Sequence, residues 1–289
     1  MTAPPTTPPA RQLMKWPDLL KRPRPEPDET LSYGDSALQV VDLWLPKRRG
    51  RHPVVVMVHG GCWQSDVADR RIMNWIANDL RHRGIAVWNI DYRGVDRPGG
   101  GYPGTYEDVV AAMNLLYFYP EYHLDLSRVV AVGHSAGGHL AMWLAGWHRI
   151  PAGMVTHRRL PDGRASLEPA PPRVAKVISL GGLQDLDEAA RPPGSGCGVD
   201  VVNKIAGNHW TDTSVPRLAP LGVPQTLING ADDKIIPPAY ADIYKRKMEA
   251  AGDKVSVRMI AHTGHVELIA PESPAWAAAV EEIEAAFRK

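Results

Sequence analysis

Residues 128–146 read RVVAVGHSAGGHLAMWLAG. Val129 to Val132 are apolar at successive positions, so an extended chain there is apolar on both faces. Such a run suits a strand buried on both sides in a parallel sheet. Gly133-His134-Ser135-Ala136-Gly137 interrupts it. Leu140, Trp143, Leu144 and Trp147 then recur at the spacing of a helix core face. Strand, tight turn and helix in so short a stretch constrain the chain to a parallel sheet with a helix packed on its face.

Other segments repeat the pattern. Strands are expected at 53–58, 85–91, 128–133, 174–180, 225–229 and 254–260, with a change from irregular to patterned sequence near residue 39. Thr105 and Asp108 have the spacing of a capping box, ahead of an apolar stripe from Val109 to Leu116. A helix is expected over 66–83, ending at Gly84. Ser273 and Pro274 read as cap and first residue of a last helix. The alternation argues for one doubly wound α/β domain, mostly parallel, with helices on both faces. Residues 31–289 form that domain. Residues 1–30 carry eight prolines and read as a partly disordered tail and a polyproline-like spacer. Two long stretches, 151–173 and 191–224, read as loops, the second as a small lid.

Composition excludes more than it selects. Lys and Arg total 33 against 32 Asp and Glu, so no basic excess points to nucleic acid or a membrane surface. No apolar run approaches a transmembrane span, and the first 30 residues have no signal-peptide core. The expectation is a cytoplasmic protein, monomer or homodimer, in which Cys62 and Cys197 are reduced. No metal-ligand spacing and no cofactor motif is present, so no metal and no cofactor are expected.

Gly133 to Gly137 matches G-x-S-x-G, and its strand-before, helix-after context is the one a nucleophile elbow requires. Ser135 is the candidate nucleophile. A serine hydroxyl needs a base to take its proton and an acid to hold that base. In chain order these follow as an aspartate and then a histidine. Asp233, before "KIIP", is preferred over its neighbour Asp232; Asp212 is a weaker candidate. His265, at the tip of the loop after the last strand, is preferred over His262. His134 and His139 flank Ser135 but belong to the elbow and its helix.

With "HGGCW" (59–63), "NIDYRG" (89–94), "YPGTYEDV" (102–109), "GHSAGGHLA" (133–141), "NGADDKIIP" (229–237) and "GHVELIAP" (264–271) in this order, the chain resembles the α/β-hydrolases. Within them it is similar to the esterase/lipase branch with an H-G-G-x-W loop. That branch includes carboxylesterases, feruloyl and acetyl-xylan esterase-like proteins and kynurenine formamidase-like enzymes. The resemblance implies acyl transfer by a Ser135–His265–Asp233 triad on a small-molecule ester, or alternatively an amide of the formamide type. A ligand-binding homologue without catalysis is a third reading. The resemblance also assigns an oxyanion hole to the backbone of Gly61, Cys62 and Ala136. Gly60, Trp63, His134 and Trp210 are candidate substrate contacts. Cys62 departs from the glycine, small or aromatic residue usual after H-G-G. Its replacement by alanine is expected to keep most activity, since the N–H survives.

Overall fold

Eight strands form one sheet in a computed structural model of the protein, which describes residues 12–150 and 170–288. They are β1 (Glu29–Ser32), β2 (Val40–Trp44), β3 (His52–Val58), β4 (Ala86–Ile90), β5 (Leu124–His134), β6 (Val174–Leu180), β7 (Gln225–Gly230) and β8 (Val255–Ile260). Their spatial order is β1-β2-β4-β3-β5-β6-β7-β8. β1 and β2 pair antiparallel, as do β2 and β4; every other pair is parallel. This is the mostly parallel α/β-hydrolase architecture expected from the sequence.

The pleat explains why the strand runs are apolar throughout. Val54, Val56 and Val58 of β3 enter one core, and Val55 and Met57 enter the other. The first core is closed by the helices Gly104–Asn114, Ala136–Ala145 and Ala239–Ala250, the second by Asn74–His82 and Pro274–Phe287. Each fully buried valine contributes about 1.5–3 kcal/mol relative to exposure, so either face would be destabilised by a polar substitution. Ser273 Oγ accepts from Trp276 N at 2.9 Å and Pro274 opens the last helix, as expected.

Several local expectations are corrected. Thr105 is not a cap: it lies inside the helix, where its hydroxyl accepts from Gly101 N and donates to Arg93 O. Asp108 instead takes a two-pronged bond from the Arg93 guanidinium. The segment 66–83 starts later, as a 3-10 turn Arg70–Met73 capped by Asp69, followed by the helix Asn74–His82. Residues 12–30 are a packed arm rather than a loose spacer. They contain the helix Trp16–Leu20, whose Leu19 is wholly buried, and the edge strand β1. Trp75 Nε1 and Asn74 Nδ2 donate to the Pro23 and Pro25 carbonyls and hold this arm down. The tail expected at residues 1–11 and most of the 151–173 loop lie outside the described residues.

The stretch 191–224 is not an open loop. It carries the helices Val199–Ala206 and Trp210–Thr213, and Val202, Ile205, Val215 and Leu218 join the first core. The expectation of two reduced thiols is also overturned: Cys62 and Cys197 form a disulfide across 135 residues. The sequence reading missed it because the two cysteines sit in unrelated segments that only the fold brings together. Among the described residues no helix is long and apolar enough to cross a membrane.

Candidate active site

Ser135, Asp233 and His265 follow the C-terminal ends of β5, β7 and β8. Ser135 follows β5 directly, with φ 54° and ψ −123°. An L-residue pays for that conformation, and it persists only where its surroundings fix it. Here Ser135 N donates to Leu180 O, and the Ser135 carbonyl accepts from Gly138 N. A Cβ on Gly137 would lie 2.2 Å from the Val58 carbonyl oxygen, and one on Gly133 would lie 2.1 Å from that of Gly137. Both glycines of G-x-S-x-G are therefore needed for close backbone passage.

Asp233, in the turn after β7, accepts the His265 Nδ1–H on Oδ2 at 2.6 Å. Its Oδ1 accepts from the backbone N–H of Ile235 and Ile236 at 2.8 and 2.9 Å. The carboxylate is thereby fixed by three donors, and the ring's Nε2 is left as the basic nitrogen. Both side chains are almost fully buried, as is Ser135. The rejected neighbours stand elsewhere: Asp232 and His262 are exposed. Asp212 is buried against the Tyr102 hydroxyl at 3.0 Å, its pKa raised chiefly by burial.

The H-G-G loop leaves β3 and crosses over the elbow. A Cβ on Gly60 would stand 2.9 Å from both Ser135 Cβ and His134 Nδ1. Gly61, Cys62 and Trp63 all have positive φ, of 108°, 53° and 53°. Gln64 N closes the turn onto Gly61 O at 2.9 Å, and positive φ at both central residues is the signature of a type I′ turn. Glycine or asparagine usually fills such positions, and other residues there cost about 1–2 kcal/mol each. Each strained residue has its own fastener. Cys62 is bonded to Cys197, and Trp63, wholly buried, donates its indole N–H to His139 Nδ1 at 3.2 Å. Among the described residues the N–H groups of Gly61, Cys62 and Ala136 donate to no protein acceptor.

Two expected substrate contacts take other roles. Trp63 has no accessible surface and acts as a core anchor. His134 is 1 % exposed and packs its ring against that of His265, with centroids 4.5 Å apart. Trp210 is half-buried at the start of its short helix and packs on the first core. The sequence reading missed the support beneath the loop. His59 meets Asp91 Oδ1 through Nε2 at 3.0 Å and stacks on Tyr92, whose hydroxyl donates to His59 O. Arg70 bridges Asp91 and Asp42 at 2.8 Å each. The "DYRG" string carried the signal, since a charged pair beside a tyrosine is unusual at the end of a buried strand. His139 is held neutral by burial, its pKa lowered to about 4, and Nε2–H donates to Thr213 O.

The BD-FAE family profile matches residues 41–248, well over half of the chain. The chain belongs to the BD-FAE family. The match runs from β2 through the H-G-G loop and elbow to the helix after Asp233. No curated protein matches the sequence. Among solved structures, esterase B from Lactobacillus rhamnosis is similar with 21 % identity and a TM-score of 0.73, over 92 % of this chain and 88 % of that one. A truncated carbohydrate esterase from gut microbiota has 18 % identity and a TM-score of 0.70, over 91 % and 97 %. Esterase 2 of Thermogutta terrifontis, phosphoramylated by tabun, has 18 % identity and a TM-score of 0.67, over 95 % and 96 %. At such identities the likeness establishes the fold, and this BD-FAE chain shares it along nearly its whole length.

Proposed function

We propose that this BD-FAE chain is a serine hydrolase of small-molecule carboxylic esters. The observation that carries the reading is the His265–Asp233 bond of 2.6 Å at the strand ends beside the strained Ser135 elbow. Ser135 Oγ attacks the ester carbonyl and His265 Nε2 takes its proton. Asp233 holds the ring and stabilises the imidazolium that forms. The tetrahedral oxyanion is received by the N–H groups of Ala136, Gly61 and Cys62, which among the described residues have no protein acceptor of their own. Each such donor contributes about 3 kcal/mol to the transition state. His265 returns the proton to the leaving alcohol, and a water activated by the same histidine releases the acid. That three similar solved structures carry the name esterase, one of them phosphoramylated by tabun, supports the ester over the formamide.

The test is a panel of p-nitrophenyl acetate, p-nitrophenyl butyrate, an acetylated sugar, a feruloyl ester and N-formylkynurenine. Ester turnover is expected, lost in Ser135→Ala with the melting temperature kept, and a fluorophosphonate probe is expected to label Ser135. Full turnover by Ser135→Ala would remove the nucleophile assignment. Faster turnover of N-formylkynurenine than of every ester would remove the ester assignment.

A further inference from the structure

The packed arm at residues 12–22 ends against the candidate base. Trp16 sets its ring edge-on to two imidazoles, His134 at 6.2 Å and His265 at 6.4 Å between centroids. Glu267, two residues past His265, joins the arm to the histidine loop. Its Oε1 accepts from Met14 N at 2.5 Å and its Oε2 from Gly264 N at 3.1 Å. Leu13 borders the same glycine. Leu19, in the second core, and the Arg22–Glu272 pair hold the arm from its far end.

His134 completes the arrangement from the other side. Its Nε2 lies 3.2 Å from the His265 carbonyl oxygen, so this nitrogen carries the proton and donates. Its Nδ1 has no hydrogen-bond partner among the described residues. Burial, and then the neighbouring His265, push the His134 pKa well below the ordinary histidine value. A neutral ring beside His265 spares the imidazolium formed during catalysis a second positive charge.

We propose that Trp16 and His134 are positioning residues for His265, and that the arm segment Leu13–Arg22 clamps the histidine loop in its working geometry through Glu267. The proposal rests on the triad reading above. His134 fixes the loop's backbone by a hydrogen bond, and Trp16 closes the edge of both rings to water. Neither is required to touch substrate, so their loss acts on turnover more than on substrate binding.

Among the described residues the groups facing His265 are few. Asp233 meets Nδ1, the His134 ring packs on it, and His59 lies beyond His134. Trp16 is uncharged, and Glu267 is engaged with two backbone N–H groups. Opening the Trp16 side admits water, which favours the charged imidazole. The acid limb of kcat/KM, which reports the base in the free enzyme, should then move to higher pH.

The experiment compares Trp16→Ala, Trp16→Phe, His134→Phe, Glu267→Gln and His265→Ala on p-nitrophenyl acetate across pH 5–9. Trp16→Ala and His134→Phe are expected to lose about tenfold in kcat, with KM within about twofold, because small misplacements of a base are costly. Trp16→Ala should raise the acid limb, and Trp16→Phe should restore it. Glu267→Gln, which keeps the shape but turns one of the two acceptors into a donor and so loses one backbone bond, should fall between wild type and Trp16→Ala. If Trp16→Ala does not fold, the Glu267→Gln and His134→Phe profiles decide. A wild-type kcat in Glu267→Gln together with Trp16→Ala, or with His134→Phe where Trp16→Ala does not fold, and an inactive His265→Ala, overturns the clamp and leaves the triad standing. An active His265→Ala overturns the triad instead.

Discussion

Breaking the Cys62–Cys197 bond should injure this protein twice, once in stability and once in catalysis. The bond closes a loop across 135 residues. In the chain-entropy account a loop of that size is worth about 5 kcal/mol, and removal of native bridges typically costs 2–5 kcal/mol. With an unfolding entropy of about 2.1 cal/mol/K per residue, a chain of 289 residues has about 0.6 kcal/mol/K in total. Reduction should therefore lower the melting temperature by about 3–8 °C.

The catalytic loss has a different origin. Cys62 is held at φ 53°, where a non-glycine residue is strained by about 1–2 kcal/mol. The bond to Cys197 in the 191–224 segment is what restrains its side chain. Freed, the turn should relax and withdraw the N–H groups of Gly61 and Cys62 from the proposed oxyanion position. One misaligned donor corresponds to about 10²–10³ in kcat. The alanine variant expected from sequence to be nearly silent should thus lose much of its turnover. Two double variants separate the effects. Cys62→Ala with Cys197→Ala should lose both stability and kcat. Cys62→Gly with Cys197→Ala should lose the bridge but keep the turn, because glycine adopts positive φ without penalty, and so recover kcat. Thiol titration of the unfolded, unreduced protein, melting curves with and without dithiothreitol, and esterase kinetics measure all of this. Two free thiols in the unreduced protein, or equal kcat for the two double variants, would refute the reasoning.

Further outcomes follow from the same geometry. Gly60→Ala places a Cβ 2.9 Å from Ser135 Cβ; the loop must lift, and kcat should fall by about 10² or more while circular dichroism is unchanged. Asp233→Asn should cost about 10⁴ in kcat, as a neutral side chain no longer fixes the tautomer of His265, and a drop below tenfold would exclude Asp233 as the orienter. His139 titrates near 6.5 when unfolded but at about 4 when folded. Its folded pKa is depressed, so its stability contribution is complete above pH 6.5 and is lost as pH falls to about 4. That loss amounts to about 3 kcal/mol, with His134 adding in the same direction. Urea midpoints from pH 7 to 4 should show the slope, and His139→Gln should flatten it; an unchanged slope would count against a neutral buried His139.

What the sequence made legible was whatever a single segment determines. Strand runs apolar on both faces announced a sheet covered on both sides, and glycines at fixed offsets around Ser135 announced a turn that tolerates no side chain. Asp233 stood out from Asp232 by the apolar pair and proline that follow it, and the fold adds that the N–H groups of that pair meet its carboxylate. The misreadings have a common cause. Thr105 has the spacing of a cap, yet its hydroxyl is claimed by Gly101 and Arg93 of the loop that leads into the helix. The proline-rich stretch looks like a spacer by composition, but its carbonyls are acceptors for Trp75 and Asn74, far along the chain.

Cys62 is the sharpest case of this division. From sequence it is an anomalous residue in a loop that needs only backbone, and its thiol has no assignable task. The fold shows that the loop's geometry is costly at this position and at the next. Glycine would adopt this backbone without strain, whereas any other residue holds it only if its side chain is tied down. A residue tied covalently to a neighbouring wall, followed by a tryptophan buried in the core, accepts strain in return for a fixed direction of the N–H groups. Preorganised donors stabilise developing charge because they need no reorganisation during reaction. On that argument the side chains at 62 and 63 serve catalysis without touching substrate, and the bridge and the tryptophan are two independent ways of holding one turn.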